Sequence, residues 1–509
     1  MSKSCQRTAS LLISFLWACV AIVAHAAVPL AATAAMPVSA SSLSPALTNG
    51  FTIAVSSAPR TLNPATATDA AGARLLQLTH PALLGWNTHY QPTGLVAENC
   101  TQLTLTTATC TLNPAKTFTD GSPITAPALA GWLLQIQSNT LSPFTQLKNV
   151  SITAPNPTTL HFTLPSPTLS FLGMLTEIPL ASPVTPTIGA GPYHIAAQSP
   201  LGDVTLATSQ KGLPPQLTFV PIADATTRLL KLKKGEVDAI FNDLPPQLVD
   251  WARQQGFIVT AVPGTSYSYL GLNFTNPTLA NPQVREALAI SLNRSGLRKF
   301  LLGDLATPAS TLLPPGHPAT WNAPEETFDP FTAENLLDDA NILRGPDNMR
   351  FSLTLLTSTD PFSQRVSQAI QAQWKAIGVD VKLRPTEWAS FYDAVKKGNF
   401  DAVMLAWTGE QQPSFYFNAF NGSQTPPVGL NRGRVNDPEL NRLTTQIMQA
   451  TTPQAQIAAT VAAQQKIADL RPYIPLYRRH QILVTIPSLI GCTIPPSGAY
   501  TGLLTCRRK

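Results

Sequence analysis

Strand-like and helix-like segments alternate along the chain from residue 267 to residue 450. Short runs of β-branched and aromatic residues are followed by longer amphipathic runs, several of which begin with proline or end at glycine. This alternation is typical of an α/β fold, in which strands form a sheet and helices cover it. The predicted strands are residues 267–274, 380–384 and 401–407, and the predicted helices are residues 282–293, 362–377, 388–397 and 438–450.

The chain before this segment has a different pattern, with short strand-like runs and only two clear helices, at residues 127–137 and 223–234. A helix at residues 453–470 and a strand at residues 472–486 follow the alternating segment, and that strand could rejoin the first part of the chain. About 480 residues would remain after removal of a leader, which is too many for one core. We therefore expect two lobes. Lobe 1 is predicted as residues 49–262 with 472–509, including a smaller subdomain at about 86–181, and lobe 2 as residues 263–471.

The start of the chain has the features of a signal peptide, predicted as residues 1–26. Lys3 and Arg7 precede an apolar run of about 15 residues, which ends in the small-x-small sequence 24–26. The run is shorter than the roughly 18 to 20 residues that cross a bilayer. Cys19 offers an alternative lipoprotein cleavage site, although Trp17 is bulky for such a site. We expect secretion to the periplasm, with residues 27–48 forming a flexible leader.

Charge and cysteine content narrow the possible partners. Charged residues make up only 12% of the chain, and they are scattered, so nucleic acid is not expected as a partner. Four cysteines lie beyond the predicted leader, and proximity favours two local disulfides, although four cysteines allow three pairings. No Cys-x-x-Cys sequence supports a metal site, and no cofactor is expected. The four cysteines are Cys100, Cys110, Cys492 and Cys506.

Several short motifs occur in a fixed order along almost the whole chain. They are Thr61-Leu-Asn-Pro-Ala65, Phe118-Thr-Asp-Gly-Ser-Pro-Ile-Thr-Ala126, Gly189-Ala-Gly-Pro-Tyr193, Lys233-Lys-Gly-Glu-Val-Asp-Ala239, Leu270-Gly-Leu-Asn-Phe274 and Asn281-Pro-Gln-Val-Arg-Glu-Ala-Leu-Ala289. As an ordered set they resemble the extracellular solute-binding proteins, family 5, which serve oligopeptide and dipeptide ABC importers. The resemblance implies a two-lobed periplasmic binding protein (type II, cluster C-like), with mixed sheets and a hinge between the lobes. It also implies a monomer that delivers peptides or peptide-like solutes to the permease subunits of an importer.

The resemblance places the main candidate site after the strand at residues 401–407. The sequence there is Trp407-Thr408-Gly409-Glu410, where dipeptide-binding relatives have Trp-Thr-Gly-Asp and the aspartate pairs with the ligand's α-ammonium group. A carboxylate suits this task because it accepts charge-assisted hydrogen bonds. Glu410 is one methylene longer, so either the ammonium site is remodelled or Glu410 serves another cation. A solvated loop carboxylate is the alternative interpretation.

Aromatic residues supply the other candidate contacts. Trp388 matches a tryptophan that lines the pocket of dipeptide binders, and with Trp407 it could form a wall of the cleft. Tyr193 and Tyr269 are further candidates, and core packing is the alternative role for such rings. Dipeptide binders also have an arginine that holds the ligand carboxylate, near Thr357 of this chain. Its absence favours longer peptides, or ligands without a free carboxylate.

Other classes of function have less support in the sequence. The zinc-protease, phosphate-loop and serine-hydrolase motifs are absent, so an enzyme is not expected, although a periplasmic hydrolase built from distant residues or a chaperone-like protein stays an alternative. A second alternative keeps the fold and changes the ligand to a nickel chelate, haem or an antimicrobial peptide. His317 and His480 are the candidate contacts for such ligands.

Overall fold

The computed structural model describes residues 50–409 and 411–509. The predicted signal peptide and leader, residues 1–26 and 27–48, and the candidate residue Glu410 lie outside this range. Within the described part of the chain, no helix combines the length and the apolar character needed to cross a membrane.

Twelve strands form the main sheet of the described residues, in the order β16-β15-β17-β13-β18-β11-β1-β10-β9-β8, with β12 and β14 also paired to β18. The first strands are β1 (Phe51–Val55), β2 (Leu84–Trp86), β3 (Pro92–Gly94), β4 (Ala97–Thr104), β5 (Thr107–Leu112), β6 (Ser151–Asn156), β7 (Thr159–Thr163), β8 (His194–Gln198), β9 (Val204–Ala207) and β10 (Gln216–Pro221). The later strands are β11 (Ala239–Phe241), β12 (Ile258–Pro263), β13 (Tyr267–Leu272), β14 (Ala306–Thr307), β15 (Phe351–Ser358), β16 (Val379–Thr386), β17 (Ala402–Trp407), β18 (Tyr473–Thr485), β19 (Leu489–Ile490) and β20 (Arg507–Arg508).

The helices begin where the sequence supplies a capping side chain, often with proline in the first turn. Asp360 accepts a hydrogen bond from the Ser363 backbone N–H and Thr452 from that of Ala455, which satisfies donors that the helix itself leaves free. The helices are α1 (Ala70–Thr79), α2 (Ala126–Ser138), α3 (Phe171–Met174), α4 (Ala225–Lys233), α5 (Pro246–Gln254), α6 (Pro277–Ala280), α7 (Pro282–Ile290), α8 (Arg294–Leu302), α9 (Pro330–Asp339), α10 (Pro361–Ala376), α11 (Trp388–Lys397), α12 (Phe415–Phe420), α13 (Pro438–Gln449) and α14 (Pro453–Leu470).

Strand β18 is shared between two parts of the sheet. Its first half, from Tyr473 to Tyr477, pairs with β13, which belongs to the alternating segment. Its second half pairs with β12 from His480 onward and with β11 from Leu483 onward, and both of these strands come from the earlier part of the chain. One continuous strand therefore runs through both predicted lobes. The lobe boundaries themselves stay a prediction.

Strands β4–β7 form a separate four-stranded sheet, which packs against α2. Cys100 and Cys110 face each other across the β4–β5 hairpin and are disulfide-bonded. Cys492 and Cys506 form the second disulfide, and the short strands β19 and β20 lie just outside it. Both pairings favoured by proximity in the sequence are thus present.

Alternate residues of the sheet strands contribute to different cores. In β13, Leu270 and Leu272 face one core, while Tyr267 and Tyr269 face the other. The period of two follows from the pleat, which directs successive side chains to opposite faces. This places the aromatic side chains of β13 on the same face as Val403, Leu405 and Trp407 of β17.

Candidate functional site

Tyr267, Tyr269 and Trp407 lie on one face of neighbouring strands. Strands β13 and β17 run antiparallel, with Tyr267 directly opposite Trp407 and Tyr269 opposite Leu405. Tyr473 of β18 joins them, because its ring stacks on that of Tyr269 with the ring centres 3.9 Å apart. Gly271 leaves room for this stack, since a Cβ there would lie 3.3 Å from the Tyr269 ring and 3.7 Å from the Tyr473 ring. We call the rings of Tyr269, Trp407 and Tyr473 the aromatic wall.

Trp407 is the last residue of β17 and comes directly before the predicted site residues Thr408 and Gly409. Its ring lies nearly parallel to that of Tyr269 at 6.3 Å and meets Phe415 edge-on at 4.9 Å. Burial raises the pKa of Tyr269 well above its ordinary value, and the positive charge of nearby Arg432 opposes this rise. Burial raises the pKa of Tyr473 as well, so both phenols of the wall are neutral hydroxyl groups that can donate hydrogen bonds.

Trp388 stands at the first residue of α11 and is 44% exposed, so its ring is open to solvent on one side. It stacks on Phe391 at 5.4 Å and on Tyr392 at 6.1 Å. The Arg432 guanidinium lies 5.4 Å from the centre of the Tyr392 ring and 4.1 Å from that of Trp407. Arg432 thus connects the aromatic cluster around Trp388 to the aromatic wall.

Thr408 and Gly409 follow directly after β17 and are exposed. Gly409 has φ of +78°, in the left-handed region that favours glycine, and a Cβ there would meet nothing within 4 Å. The backbone at Gly409 therefore has a conformation that favours glycine, and the space beside its Cα is open. The roles of Thr408, Gly409 and Glu410 in ligand binding stay predictions.

Tyr193 is in a different place from the other candidates. It is fully buried in the core that also contains Phe219 and Tyr500, and its hydroxyl donates to the Pro214 carbonyl oxygen at 2.6 Å. Burial raises the pKa of this hydroxyl. Tyr193 therefore lies in a different core from Tyr269 and Trp407, and the structure does not bring it together with them or with Trp388. Its hydroxyl is also already paired. A ligand contact of Tyr193 stays a prediction from the sequence.

Three hydrogen bonds join residues beyond position 263 to the earlier part of the chain. Gln412 donates through Nε2 to the Glu177 carboxylate at 3.2 Å, although the two residues are 235 apart in sequence. The Gln456 side chain reaches the Ser170 hydroxyl at 3.4 Å, and the Tyr90 hydroxyl donates to the Pro315 carbonyl oxygen at 3.1 Å. These three contacts, which we call the junction, connect residues of predicted lobe 1 with residues of predicted lobe 2.

Arg432, Gln412 and Glu177 were not found by sequence reasoning. Arg432 and Gln412 lie in irregular segments, where no hydrophobic period indicates which side chains face inward. The one available signal was a charged residue in apolar surroundings, since Arg432 lies in the sequence between Leu430 and Val435, which both pack in a core.

The two candidate histidines do not form a metal centre with their neighbours. His317 is buried, its Nδ1 accepts a hydrogen bond from the Ala319 backbone N–H at 3.0 Å, and burial lowers its pKa to about 4. His480 lies on β18, and burial lowers its pKa as well. Among residues 50–409 and 411–509, no group of three His, Cys, Asp or Glu side chains could hold a metal ion.

The mixed sheets with helices packed on them define an α/β protein, and solved structures with the same fold are two-lobed periplasmic binding proteins. Residues 92–426 match the bacterial extracellular solute-binding proteins, family 5 Middle, and the chain belongs to this family. The protein is therefore a solute-binding protein.

Individual relatives support the same class. The glutathione-binding protein GsiB of Shigella flexneri is 26% identical over 480 residues, covering 88% of this chain and 93% of the relative. NikA from Brucella suis, solved with Fe(III)-EDTA, shares the fold with a TM-score of 0.81 at 19% identity, over 90% of this chain and 100% of NikA. The oligopeptide-binding protein AppA from Bacillus subtilis, solved with a nonapeptide, has a TM-score of 0.76 at 18% identity, over 91% of this chain and 100% of AppA.

Proposed function

We propose that this protein is the periplasmic receptor of an ABC importer and binds peptides or peptide-like solutes between its lobes. The observation that carries the proposal is the position of the aromatic wall beside the junction. Trp407 packs on Phe415, and the Phe415 backbone N–H donates to the carbonyl oxygen of Gln412, whose side chain reaches Glu177. A ligand bound beside this wall would contact both lobes and favour the closed form.

The relatives support this class of ligand. GsiB is described as a glutathione-binding protein, and AppA was solved with a nonapeptide. Aromatic rings beside exposed backbone suit peptide ligands, because the rings offer apolar area while backbone groups pair with an extended chain. On this proposal the protein acts as a monomer, hands its ligand to permease subunits, and has no catalytic activity of its own.

Native mass spectrometry of protein purified from its own periplasm tests the ligand class. A heterogeneous series of bound peptide masses is the expected result. One discrete metal chelate or haem in its place would contradict the proposal and favour the alternative ligands. Protein that carries nothing and binds neither glutathione nor trialanine in calorimetry would also contradict it.

Glu410→Ala tests the predicted ammonium contact. We expect binding of trialanine to weaken by about 3 kcal/mol, or about 100-fold, because a buried ammonium loses its carboxylate partner. N-acetyl-trialanine has no ammonium group, so its affinity for the variant and for the parent protein should be equal. Isothermal titration calorimetry measures both, with exposed Glu98→Ala as the matched control. An equal loss for the acetylated and the free peptide would exclude the ammonium role.

A further inference from the structure

Each residue of the aromatic wall has a polar atom without a partner. The Tyr269 hydroxyl, the Tyr473 hydroxyl and the Trp407 indole Nε1 are all buried, and none makes a hydrogen bond within the described residues. The three residues are also nearly fully buried: the exposed fraction of the residue surface is 1% for Tyr269, 5% for Tyr473 and 9% for Trp407. The Tyr473 hydroxyl lies close enough to the Tyr269 hydroxyl and to the Trp407 indole to interact with both, but neither pair has the geometry of a hydrogen bond. Because buried polar groups in native proteins are almost always paired, three such groups side by side need an explanation.

The three groups share one chemical property, which is that each can donate a hydrogen bond. An indole N–H only donates, and a neutral phenol donates readily to an anion. The group that would satisfy all of them is therefore an acceptor with several lone pairs. A carboxylate has two oxygens and about four such sites.

Arg432 adds a positive charge at the same place. It is only 7% exposed, and its charge acts on both phenols, opposing the rise that burial causes in the pKa of Tyr269 and of Tyr473. Arg432 and the Tyr269 hydroxyl are close enough to interact, but their geometry falls short of a hydrogen bond.

Arg432 also differs from other buried arginines of the chain. The guanidinium groups of Arg228, Arg285 and Arg478 donate to backbone carbonyl oxygens. None of the ion pairs or side-chain hydrogen bonds within residues 50–409 and 411–509 includes the Arg432 guanidinium, which instead lies over the faces of two aromatic rings. The guanidinium nitrogens of Arg432 are not among the buried unpaired atoms of the described residues, so they keep some access to solvent and can donate to a ligand.

We propose that Arg432 binds a carboxylate of the ligand, together with the hydroxyls of Tyr269 and Tyr473 and the indole N–H of Trp407. The guanidinium offers two parallel N–H groups to the two oxygens, and the aromatic wall supplies further donors from protein side chains. This assignment rests on the proposed function, since it concerns a peptide-like ligand in the same site. It predicts selectivity for ligands with a free carboxylate, which differs from the sequence-based expectation that the missing arginine near Thr357 favours ligands without one.

Calorimetry with trialanine and with trialanine amide tests the assignment, because the amide keeps the ammonium group and the backbone and lacks only the carboxylate. We expect the parent protein to bind the acid at least about tenfold more tightly than the amide. Arg432→Gln should abolish this difference by weakening the acid alone. Arg442→Gln, an exposed arginine that pairs with Gln446 on α13, is the matched control and should leave it unchanged.

Tyr473→Phe keeps the ring and removes one hydroxyl, so it tests the same site if Arg432→Gln does not fold. It should reduce the preference for the acid by a few-fold, and near-UV circular dichroism verifies the packing of both variants. An equal loss of acid and amide in Arg432→Gln would show a structural role for Arg432, such as pairing with Glu410, and would overturn the assignment. Equal binding of acid and amide by the parent protein would overturn it while leaving the proposed function intact. A parent protein that binds no peptide would contradict both.

Discussion

Buried tyrosines of this chain differ in whether their hydroxyls are paired. The Tyr193 hydroxyl donates to a backbone carbonyl oxygen within the core of its own lobe, whereas the hydroxyls of Tyr269 and Tyr473 have no partner among the described residues. An unpaired buried hydroxyl lowers stability by about 1 to 3 kcal/mol, so paired groups are the rule in a purely structural core. By this criterion Tyr193 resembles a core residue, and the aromatic wall resembles a site that a ligand completes.

Buried histidines make folding stability depend on pH. His80 is 1% exposed, its ring nitrogens contact the Thr79 hydroxyl and the Pro186 carbonyl oxygen, and burial lowers its pKa from 6.5 to about 4. The unfolded chain therefore binds a proton more readily than the folded protein. His80 therefore leaves the free energy of unfolding unchanged above pH 6.5. Below that pH, protonation of His80 in the unfolded chain lowers the free energy of unfolding, by about 3 kcal/mol in total as the pH drops to about 4.

His80→Gln tests this dependence. Urea unfolding at pH 7.0 and at pH 4.5 should show a smaller loss of unfolding free energy in the variant than in the parent protein. His317, whose pKa is also lowered by burial, remains in both proteins and contributes equally. An identical pH dependence in the two proteins would show that His80 is not the responsible group.

At the scale of elements, helix starts were the most predictable feature. The bounds predicted for α11 and α14 agree with the structure, and the predicted start of α10 is one residue late. Proline and a capping side chain mark α10 and α14 in the sequence, while Glu387 caps α11. Helices α1, α5, α8 and α9 were not predicted. Pro245 at the N-cap of α5 offers no side-chain acceptor, but α9 was missed although Asp329 caps it and Pro330 begins it, so a capping signal alone does not identify a helix.

The candidate site was predictable only in part, for a related reason. Strand periodicity indicates which residues of β13 and β17 share a face, but the pairing of these two strands comes from the fold of the whole sheet. Tyr473 lies on a strand about 200 residues further along the chain, so the sequence could not predict that its ring stacks on that of Tyr269. Arg432 lies in a loop, where no period applies.

Asp360→Ala tests the contribution of a helix cap. The Asp360 carboxylate accepts a hydrogen bond from the Ser363 backbone N–H at 2.8 Å, and its loss should lower the unfolding free energy by about 1 kcal/mol. Chemical denaturation measures the change. Asp339→Ala is the matched control, since Asp339 is an exposed carboxylate at the opposite end of a helix, and it should change stability little. Equal effects of the two substitutions would argue against capping as the cause.

At the scale of the whole molecule, the polar contacts of the junction are few. The bond from Gln412 to Glu177 is one of three described contacts there, and each is a single hydrogen bond between predicted lobes. Single hydrogen bonds contribute about 0.5 to 1.5 kcal/mol to a conformational equilibrium. Contacts of this size allow a ligand to shift the population between open and closed forms.

Gln412→Ala should therefore favour the open form. We expect a larger radius of gyration in small-angle X-ray scattering without ligand, and a roughly 2- to 10-fold weaker affinity for the ligand. Gln446→Ala, on the exposed face of α13, serves as the control. A ligand-free scattering curve unchanged by Gln412→Ala would mean that the bond to Glu177 does not hold the lobes together.

Strand β18 also sets the order in which the molecule can fold. Asn242 and Gln481 are hydrogen-bonded across 239 residues of sequence, and β11, β12 and β13 all pair with β18 on one side. Until residues 473–485 are available, neither half of the main sheet has its central neighbour. Long-range pairing of this kind is slow, because the entropy of closing large loops must be overcome before the contacts form. If the chain is secreted unfolded, as its first 26 residues predict, this delay is an advantage, because the last long strand to arrive is the one that joins both halves.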